Sequence, residues 1–150
     1  MFSPKQRAIL NRIQSDFPIT LEPYHYLAQE LGISEKELLI EIKRLKLGKI
    51  IRRIGVIFNT LKIGFVSTLI GLKVSPERLE SVGKKIARFP EVTHCYERNH
   101  EFNLWFTLTC KSKKELNSIL DDITKWNGIQ SVLLLPAIKT FKIKTEFKFN

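Results

Sequence analysis

The fold is decided by residues 64–110, which read GFVSTLIGLKVSPERLESVGKKIARFPEVTHCYERNHEFNLWFTLTC. β-Branched and aromatic residues dominate residues 65–74, 92–98 and 103–110, which is typical of strands. After the first of these segments, Ser75-Pro76 is a helix start, and the apolar residues behind it recur every three or four positions. These apolar residues are Leu79, Val82 and Ile86. The stretch therefore predicts a strand, a helix and two further strands, in that order.

The residues after Cys110 complete the same pattern. Ser112 is a helix cap, the helix behind it keeps one apolar face, and residues 129–135 are again rich in branched aliphatic side chains. The apolar face of this helix consists of Leu116, Ile119, Leu120 and Ile123. The order βαββαβ is that of a ferredoxin-like domain.

The N-terminal part of the chain has a helical pattern instead. A first helix is predicted near residues 3–16, and a second begins at Glu22-Pro23. Ser34 and Glu37 have the spacing of a capping box, in which each side chain bonds to the backbone of the other residue. A third helix is therefore predicted to start at Ser34.

Two more strands are predicted outside these elements. Residues 50–58 are rich in β-branched side chains and are expected to form the wing of a winged helix-turn-helix domain. From residue 140 to residue 149, apolar and polar residues alternate strictly, which predicts an added C-terminal strand that could pair with a partner chain. The fold class is accordingly α+β, with a winged helix-turn-helix domain over residues 1–60 and a ferredoxin-like domain over residues 61–150.

The composition is that of a soluble globular chain, with 43% hydrophobic and 27% charged residues. No apolar stretch approaches the roughly 18 residues that a membrane helix requires, and the N-terminus lacks the order of a secretory signal. Cys95 and Cys110 occur without the spacing of a zinc site or a disulfide framework. A cytoplasmic protein with reduced thiols and no membrane partner is expected.

The net charge of +10 predicts an anionic partner without identifying it. DNA is disfavoured, because the helix over residues 34–47 would enter the groove yet offers no Asn, Gln or Thr for reading bases. Residues 1–60 hold ten basic and six acidic side chains and residues 61–150 hold fifteen and nine, so positive charge is not concentrated on the helix-turn-helix half. A small molecule with many carboxylates fits the charge as well.

Residues 93–107, THCYERNHEFNLWFT, place two of the three histidines, an arginine, a tyrosine and a tryptophan around one short turn. Such a cluster suits a binding or reaction site better than a core. Because side chains alternate along a strand, His94, Tyr96 and Arg98 are expected to share one face.

The following strand extends the same argument. Asn103 and Trp105 alternate with apolar residues that are expected to lie beneath the helices. Those apolar residues are Leu104, Phe106 and Leu108. Pairing by polarity places Asn103 and Trp105 on the open face of the sheet with Tyr96, where they would form the floor of a pocket.

Several segments of the chain together carry a family resemblance. They are residues 48–58 (GKIIRRIGVIF), 61–69 (LKIGFVSTL), 94–100 (HCYERNH) with 103–107 (NLWFT), and 141–143 (FKI). They look like the siroheme decarboxylase family, whose architecture is similar to that of Lrp/AsnC-type transcription regulators. The resemblance covers about residues 2–149. One departure is Cys95, where the family's usual form is His-Asn-Tyr.

The resemblance implies a decarboxylase subunit that removes carbon dioxide from two acetate side chains of siroheme. The product would be 12,18-didecarboxysiroheme, for alternative heme or dioxo-haem biosynthesis. Because this chemistry is non-oxidative, no cofactor is implied beyond the iron tetrapyrrole substrate. The implied partner is a homologous decarboxylase subunit in a heterodimer, with a homodimer as the second choice.

The residue types suit a substrate that carries eight carboxylates. Arg52, Arg53 and Arg98 are expected to anchor it, because an arginine binds a carboxylate through two hydrogen bonds and stays charged. Asn103 and Trp105 complete the expected substrate-binding set, with the indole offering a flat apolar surface for the macrocycle.

Loss of carbon dioxide leaves electron density that must be protonated, so an acid that titrates near neutrality is wanted close to the methylene carbon. His100 is the first choice for this proton delivery, His94 is the second, and Tyr96 is a hydrogen-bonding helper. Either histidine could instead be an axial ligand to the substrate iron. No metal site of the protein itself is expected.

Two functions of other classes stay open at this point. A DNA-binding regulator of the Lrp/AsnC type would bind a specific duplex tightly and with a steep dependence on salt. A non-catalytic tetrapyrrole sensor or carrier would bind siroheme without releasing carbon dioxide.

Overall fold

A computed structural model describes residues 1–143 and 145–150. The chain forms two compact units, one of Met1–Val56 with Lys142–Asn150 and the other of Ile57–Phe141. This division differs from the predicted one at the C-terminus, whose last residues pack with the N-terminal helices. Within the described ranges, no helix has the length and the hydropathy needed to cross a bilayer.

The first unit contains the three predicted helices, α1 (Pro4–Ile13), α2 (Pro23–Glu30) and α3 (Glu35–Leu47). The capping box is confirmed, since the Ser34 hydroxyl accepts from the Glu37 amide and the Glu37 carboxylate accepts from the Ser34 amide. One buried core joins the helices, made of Ile9, Leu10, Leu27, Ala28, Leu38, Ile42, Leu45 and Ile51.

The same capping box makes Glu37 sensitive to pH. The Ser34 backbone amide first, and then the Lys5 ammonium and the Ser34 hydroxyl, lower the pKa of Glu37 to about 2. Because the pKa is depressed in the folded state, the stabilisation is complete above about pH 4.5 and is lost as the pH falls towards about 2. We expect Glu37→Gln to flatten the change in the free energy of unfolding across this window, measured by urea unfolding.

Glu22→Gln is the matched control, because Glu22 stands at the N-cap of α2 without a side-chain cap bond. This variant should keep the pH dependence of the parent protein. If Glu37→Gln also kept the parent's dependence, the capping box would not be the source of the effect.

The predicted wing strand over residues 50–58 is wrong, since none of these residues lies in a strand. The amides of Ile50 and Ile51 both donate to the carbonyl of Leu45, which closes the end of α3, and Ile51 enters the core. The segment that follows is mostly exposed, and no strand of the described chain pairs with it. β-Branched residues favour a strand only where a neighbouring strand offers hydrogen bonds and a surface to pack on.

The predicted C-terminal strand over residues 140–149 is also wrong. No strand is assigned to the described part of this segment, and Lys144 lies outside the described residues. Side-chain amides of α1 and of its C-cap residue hold its backbone instead: Asn11 donates to the carbonyl and accepts from the amide of Phe149, both at 3.0 Å. Gln14 makes the same pair of bonds with Phe147, at 2.6 and 2.8 Å. The side chains of Asn11 and Gln14 thus make the two backbone hydrogen bonds that a neighbouring strand would make, and the alternating segment packs on a helix.

The second unit is the predicted βαββαβ domain. Its elements in chain order are β1 (Val66–Val74), α4 (Pro76–Ile86), β2 (Val92–Glu97), β3 (Leu104–Cys110), α5 (Lys113–Thr124) and β4 (Ile129–Pro136). The strands form one antiparallel sheet in the order β2-β3-β1-β4, which is the order of a ferredoxin-like fold.

The two faces of this sheet differ as strand parity predicts. Along β3, buried residues alternate with half-buried ones, and the buried ones pack beneath α4 and α5. The core on that side includes Ile70, Leu72, Val82, Ile86, Leu104, Phe106, Leu108, Leu116 and Ile123. Trp105 and Thr107 lie on the opposite, open face, together with Leu69 and Gly71 of β1.

Candidate functional site

The site predicted on the open face is assembled by β2, β3 and the loop between them. Tyr96 lies directly opposite Trp105 in the strand pair, and residues directly opposed share a face, so this part of the prediction is confirmed. His94 stacks on Tyr96 with the ring centroids 6.2 Å apart, and the guanidinium carbon of Arg98 lies 6.0 Å from the centre of the Tyr96 ring. These three side chains form one row along β2 and the residue after it.

Backbone bonds close the loop at the end of that row. The Arg98 amide donates to the Asn103 carbonyl at 2.8 Å, and the His100 amide donates to the Arg98 carbonyl at 3.0 Å. The side chain of Asn103 accepts from the Val74 amide at 2.9 Å and donates to the Val74 carbonyl at 2.7 Å. Asn103 therefore ties the start of β3 to the end of β1, and its expected contact with substrate stays a prediction.

The loop also determines which nitrogen of His100 carries a proton. The Phe102 amide donates to His100 Nδ1 at 3.1 Å. A ring nitrogen that accepts a hydrogen bond carries no proton, so the neutral imidazole is protonated on Nε2. His100 Nε2 can therefore donate a hydrogen bond or a proton. Binding iron through Nε2 would require the proton to move to Nδ1, which would break the bond with Phe102.

His94 can hold its proton on either ring nitrogen, because the Thr93 hydroxyl can accept from Nδ1 or donate to it. Its Nδ1 lies 3.0 Å from the Thr93 hydroxyl oxygen, which can accept a hydrogen bond from the ring. With the proton on Nδ1, the lone pair of Nε2 is available to a metal, and a partner at the other nitrogen is the usual support of a histidine ligand. In this tautomer His94 fits a different role from that of His100.

Two open-face residues of β1 belong to the same surface and were missed by the sequence analysis. Gly71 lies opposite Trp105 in the register, and Lys73 follows two positions later. The Lys73 ammonium lies 3.6 Å from the Glu101 carboxylate, which brings a cation beside the loop. The alternation of residues 66–74 was the signal that could have found them.

Open clefts flank the loop on both sides. One, of about 520 Å³, is lined by Glu97, Arg98, Asn99, His100 and Trp105. The other, of about 700 Å³, shares the loop residues and adds Pro76, Leu79 and Asn103. Concave surfaces with a few convergent polar groups are the usual form of a small-molecule site.

Three residues named in the sequence analysis lie away from this surface or in the other unit. Cys95 is opposite Phe106 on the helix side of the sheet, where burial raises the pKa of its thiol. The departure from the family pattern therefore falls on the face that does not carry the site. Arg52 and Arg53 belong to the first unit and are both exposed, and their part in substrate binding stays a prediction.

Comparison with known proteins gives a consistent group of relatives. Residues 6–52 match the siroheme decarboxylase NirDL-like HTH domain, and residues 62–142 match the AsnC-like ligand binding domain. The siroheme decarboxylase alpha subunit of Desulfovibrio desulfuricans is 43% identical over 144 residues, which are 96% of this chain and 83% of the relative.

Solved structures agree with these matches. The siroheme decarboxylase NirDL in complex with an iron-uroporphyrin III analogue superimposes with a TM-score of 0.69 at 36% identity. The match covers 95% of this chain and 48% of that one, so the chain spans about half the length of that protein. Escherichia coli AsnC, with a TM-score of 0.80 but only 22% identity over 97% of each chain, shares the fold.

Proposed function

Since the chain belongs to the siroheme decarboxylase family, we propose that it is a subunit of a carboxy-lyase that converts siroheme to 12,18-didecarboxysiroheme in heme or dioxo-haem biosynthesis. The observation that carries this proposal is the open-face surface on which Tyr96 and Trp105 lie side by side, with Arg98 and His100 at its edge. An aromatic surface bordered by a permanently charged cation and a proton donor meets two of the three demands of the reaction, binding and proton delivery.

Binding is the first demand. Siroheme is a flat macrocycle with carboxylates around its rim, so it needs an aromatic surface and cations beside that surface. Trp105 and Tyr96 provide the surface. Arg98 can bind a rim carboxylate through two hydrogen bonds, and Lys73 is a second cation on the same face.

Proton delivery is the second demand. The bond between the acetate methylene and its carboxylate breaks, carbon dioxide leaves, and the electron pair stays on the methylene carbon, where the macrocycle delocalises it. One proton then converts the methylene to a methyl group, and no oxidant or reductant is consumed. We assign this proton to His100 Nε2, because a neutral imidazole can act as an acid towards an electron-rich centre, and the imidazolate that forms then takes a proton from water.

The substrate iron is the third demand, and His94 fits it better than His100. The Thr93 hydroxyl can hold the proton of His94 on Nδ1, which leaves Nε2 for the axial position of the iron. Tyr96 stacks on His94 and would orient its ring.

A second, homologous subunit is part of the proposal, as a heterodimer first and a homodimer second. The solved relative is about twice as long as this chain, and the Desulfovibrio relative is named an alpha subunit. Leu69 and Leu135 lie opposite each other on the open face, each 41% exposed, and a partner would cover them. The regulator alternative gains no support from α3, whose exposed side carries Leu39 and Ile40 between lysines.

The test is anaerobic incubation of siroheme with the full chain, alone and together with its homologous subunit, followed by mass spectrometry of the tetrapyrrole. We expect two successive losses of one carbon dioxide each in at least one of the mixtures. Siroheme that binds and changes its absorbance, yet keeps its mass in both mixtures, would identify a carrier and overturn the enzyme proposal.

A further inference from the structure

Gly71 occupies the middle of β1, where a glycine needs an explanation. Glycine weakens a strand, because it has the largest conformational freedom to lose and no side chain to pack. Its backbone is not among the glycines with positive φ, so the strand conformation does not require it. A Cβ placed on Gly71 would lie 3.2–3.3 Å from three carbons of the six-membered ring of Trp105, closer than ordinary van der Waals contact. Because glycine has no side chain, the indole of Trp105 can lie close against the backbone of β1.

The indole in turn holds the loop that carries His100. Its Nε1–H donates to the carbonyl of Phe102 at 2.5 Å, and the Phe102 ring meets the indole edge-on with centroids 6.4 Å apart. The amide of Phe102 donates to His100 Nδ1, and the Phe102 and His100 rings stack at 6.2 Å. One residue, Phe102, thus receives a bond from the indole through its carbonyl and gives a bond to His100 through its amide.

We propose that Gly71 is a positioning residue for His100. By leaving room for the indole against β1, it fixes Trp105 at the distance from which the indole binds Phe102, and Phe102 then holds His100 with its proton on Nε2. The effect on turnover rests on the proposed function, whereas the effect on the protonation site of His100 does not.

The two links have different strengths. The contact between Gly71 and the indole is tight, and a methyl group on Gly71 would require the indole to move by a few tenths of an ångström. The links through Phe102 are hydrogen bonds of fixed direction. A displaced indole therefore shifts the Phe102 carbonyl or loses its bond, and either change weakens the hold of the Phe102 amide on His100 Nδ1.

Gly71→Ala is the test, made in the full chain and measured with and without the homologous subunit. Nitrogen-15 spectra of the imidazoles report the protonation site of His100, with its signals assigned by their loss in His100→Gln. Fluorescence in a Trp126→Phe background reports the surroundings of Trp105, since the chain has two tryptophans. We expect mixed protonation of His100, a shifted emission, and a kcat about 10- to 100-fold lower.

Gly83→Ala is the matched control, because a Cβ there would meet only a Leu104 methyl carbon at an ordinary 3.5 Å. It should leave the imidazole spectrum, the emission and kcat unchanged. Trp105→Phe keeps Gly71 but removes the indole N–H. It should give mixed protonation of His100 on Nδ1 and Nε2, and it can be measured even if Gly71→Ala does not fold.

The outcomes separate the two claims. An unchanged imidazole spectrum in folded Gly71→Ala, or in Trp105→Phe, would overturn the positioning role. A changed spectrum supports that role, and it does so whether or not the parent chain decarboxylates siroheme. Changed protonation with undiminished turnover would support the positioning role and count against His100 as the proton donor of the proposed function.

Discussion

Replacing His100 with alanine is expected to slow the decarboxylation of siroheme by about 10²- to 10⁴-fold, the usual contribution of a positioned acid. Affinity for siroheme should stay close to that of the parent chain, because the aromatic surface of Tyr96 and Trp105 and the guanidinium of Arg98 remain. Anaerobic absorbance titration measures the affinity, and mass spectrometry of the tetrapyrrole in single-turnover mixtures measures the chemical step.

Two histidine variants make this result specific. His25→Ala removes an exposed histidine of the first unit that bonds to Gln29, and it should leave turnover unchanged. His94→Ala should change the absorption spectrum of bound siroheme, because its Nε2 is the proposed ligand of the iron. If His100→Ala weakened binding while bound siroheme still lost carbon dioxide at the parent rate, His100 would be a binding residue only.

Phe106→Ala is expected to lower the free energy of unfolding of the second unit by about 3–5 kcal/mol, the usual cost of removing a buried phenylalanine ring. Phe106 is 1% exposed and heads the fully buried side chains of the described residues by volume. It lies beneath the helices, opposite Ile70 of β1 and Cys95 of β2, where three strands meet. Urea unfolding followed by far-ultraviolet circular dichroism measures the loss.

Thr107→Ala is the control, because Thr107 is the next residue and lies on the open face. Substitutions outside the core usually change stability by less than about 1 kcal/mol, and this one should behave in that way. Equal losses in the two variants would contradict the assignment of the two faces of the sheet.

Much of the fold could be predicted from local patterns in the chain. Helical spacing and the capping box of Ser34 and Glu37 located α3 to within a residue of its observed start. The alternation of β3 assigned Trp105 to the open face and Phe106 to the core, and the observed register agrees. Such patterns are reliable because capping and alternation involve residues that are close in sequence.

The site was predicted in part for the same reason. The row of His94, Tyr96 and Arg98 follows from parity within one strand, and its pairing with Trp105 follows from polarity across two adjacent strands. The contribution of Arg52 stays a prediction, because it lies in the other unit.

The sequence by itself thus determined the order of the elements, the faces of the sheet and the family. Only the tertiary structure decided which partners groups far apart in the sequence find. The alternating C-terminal segment bonds to amides of Asn11 and Gln14, Asn103 bonds to Val74, and the space at Gly71 admits the indole of Trp105. Each of these contacts joins residues 29 or more positions apart, and no local periodicity encodes such a choice, because it depends on which surfaces the completed fold brings together.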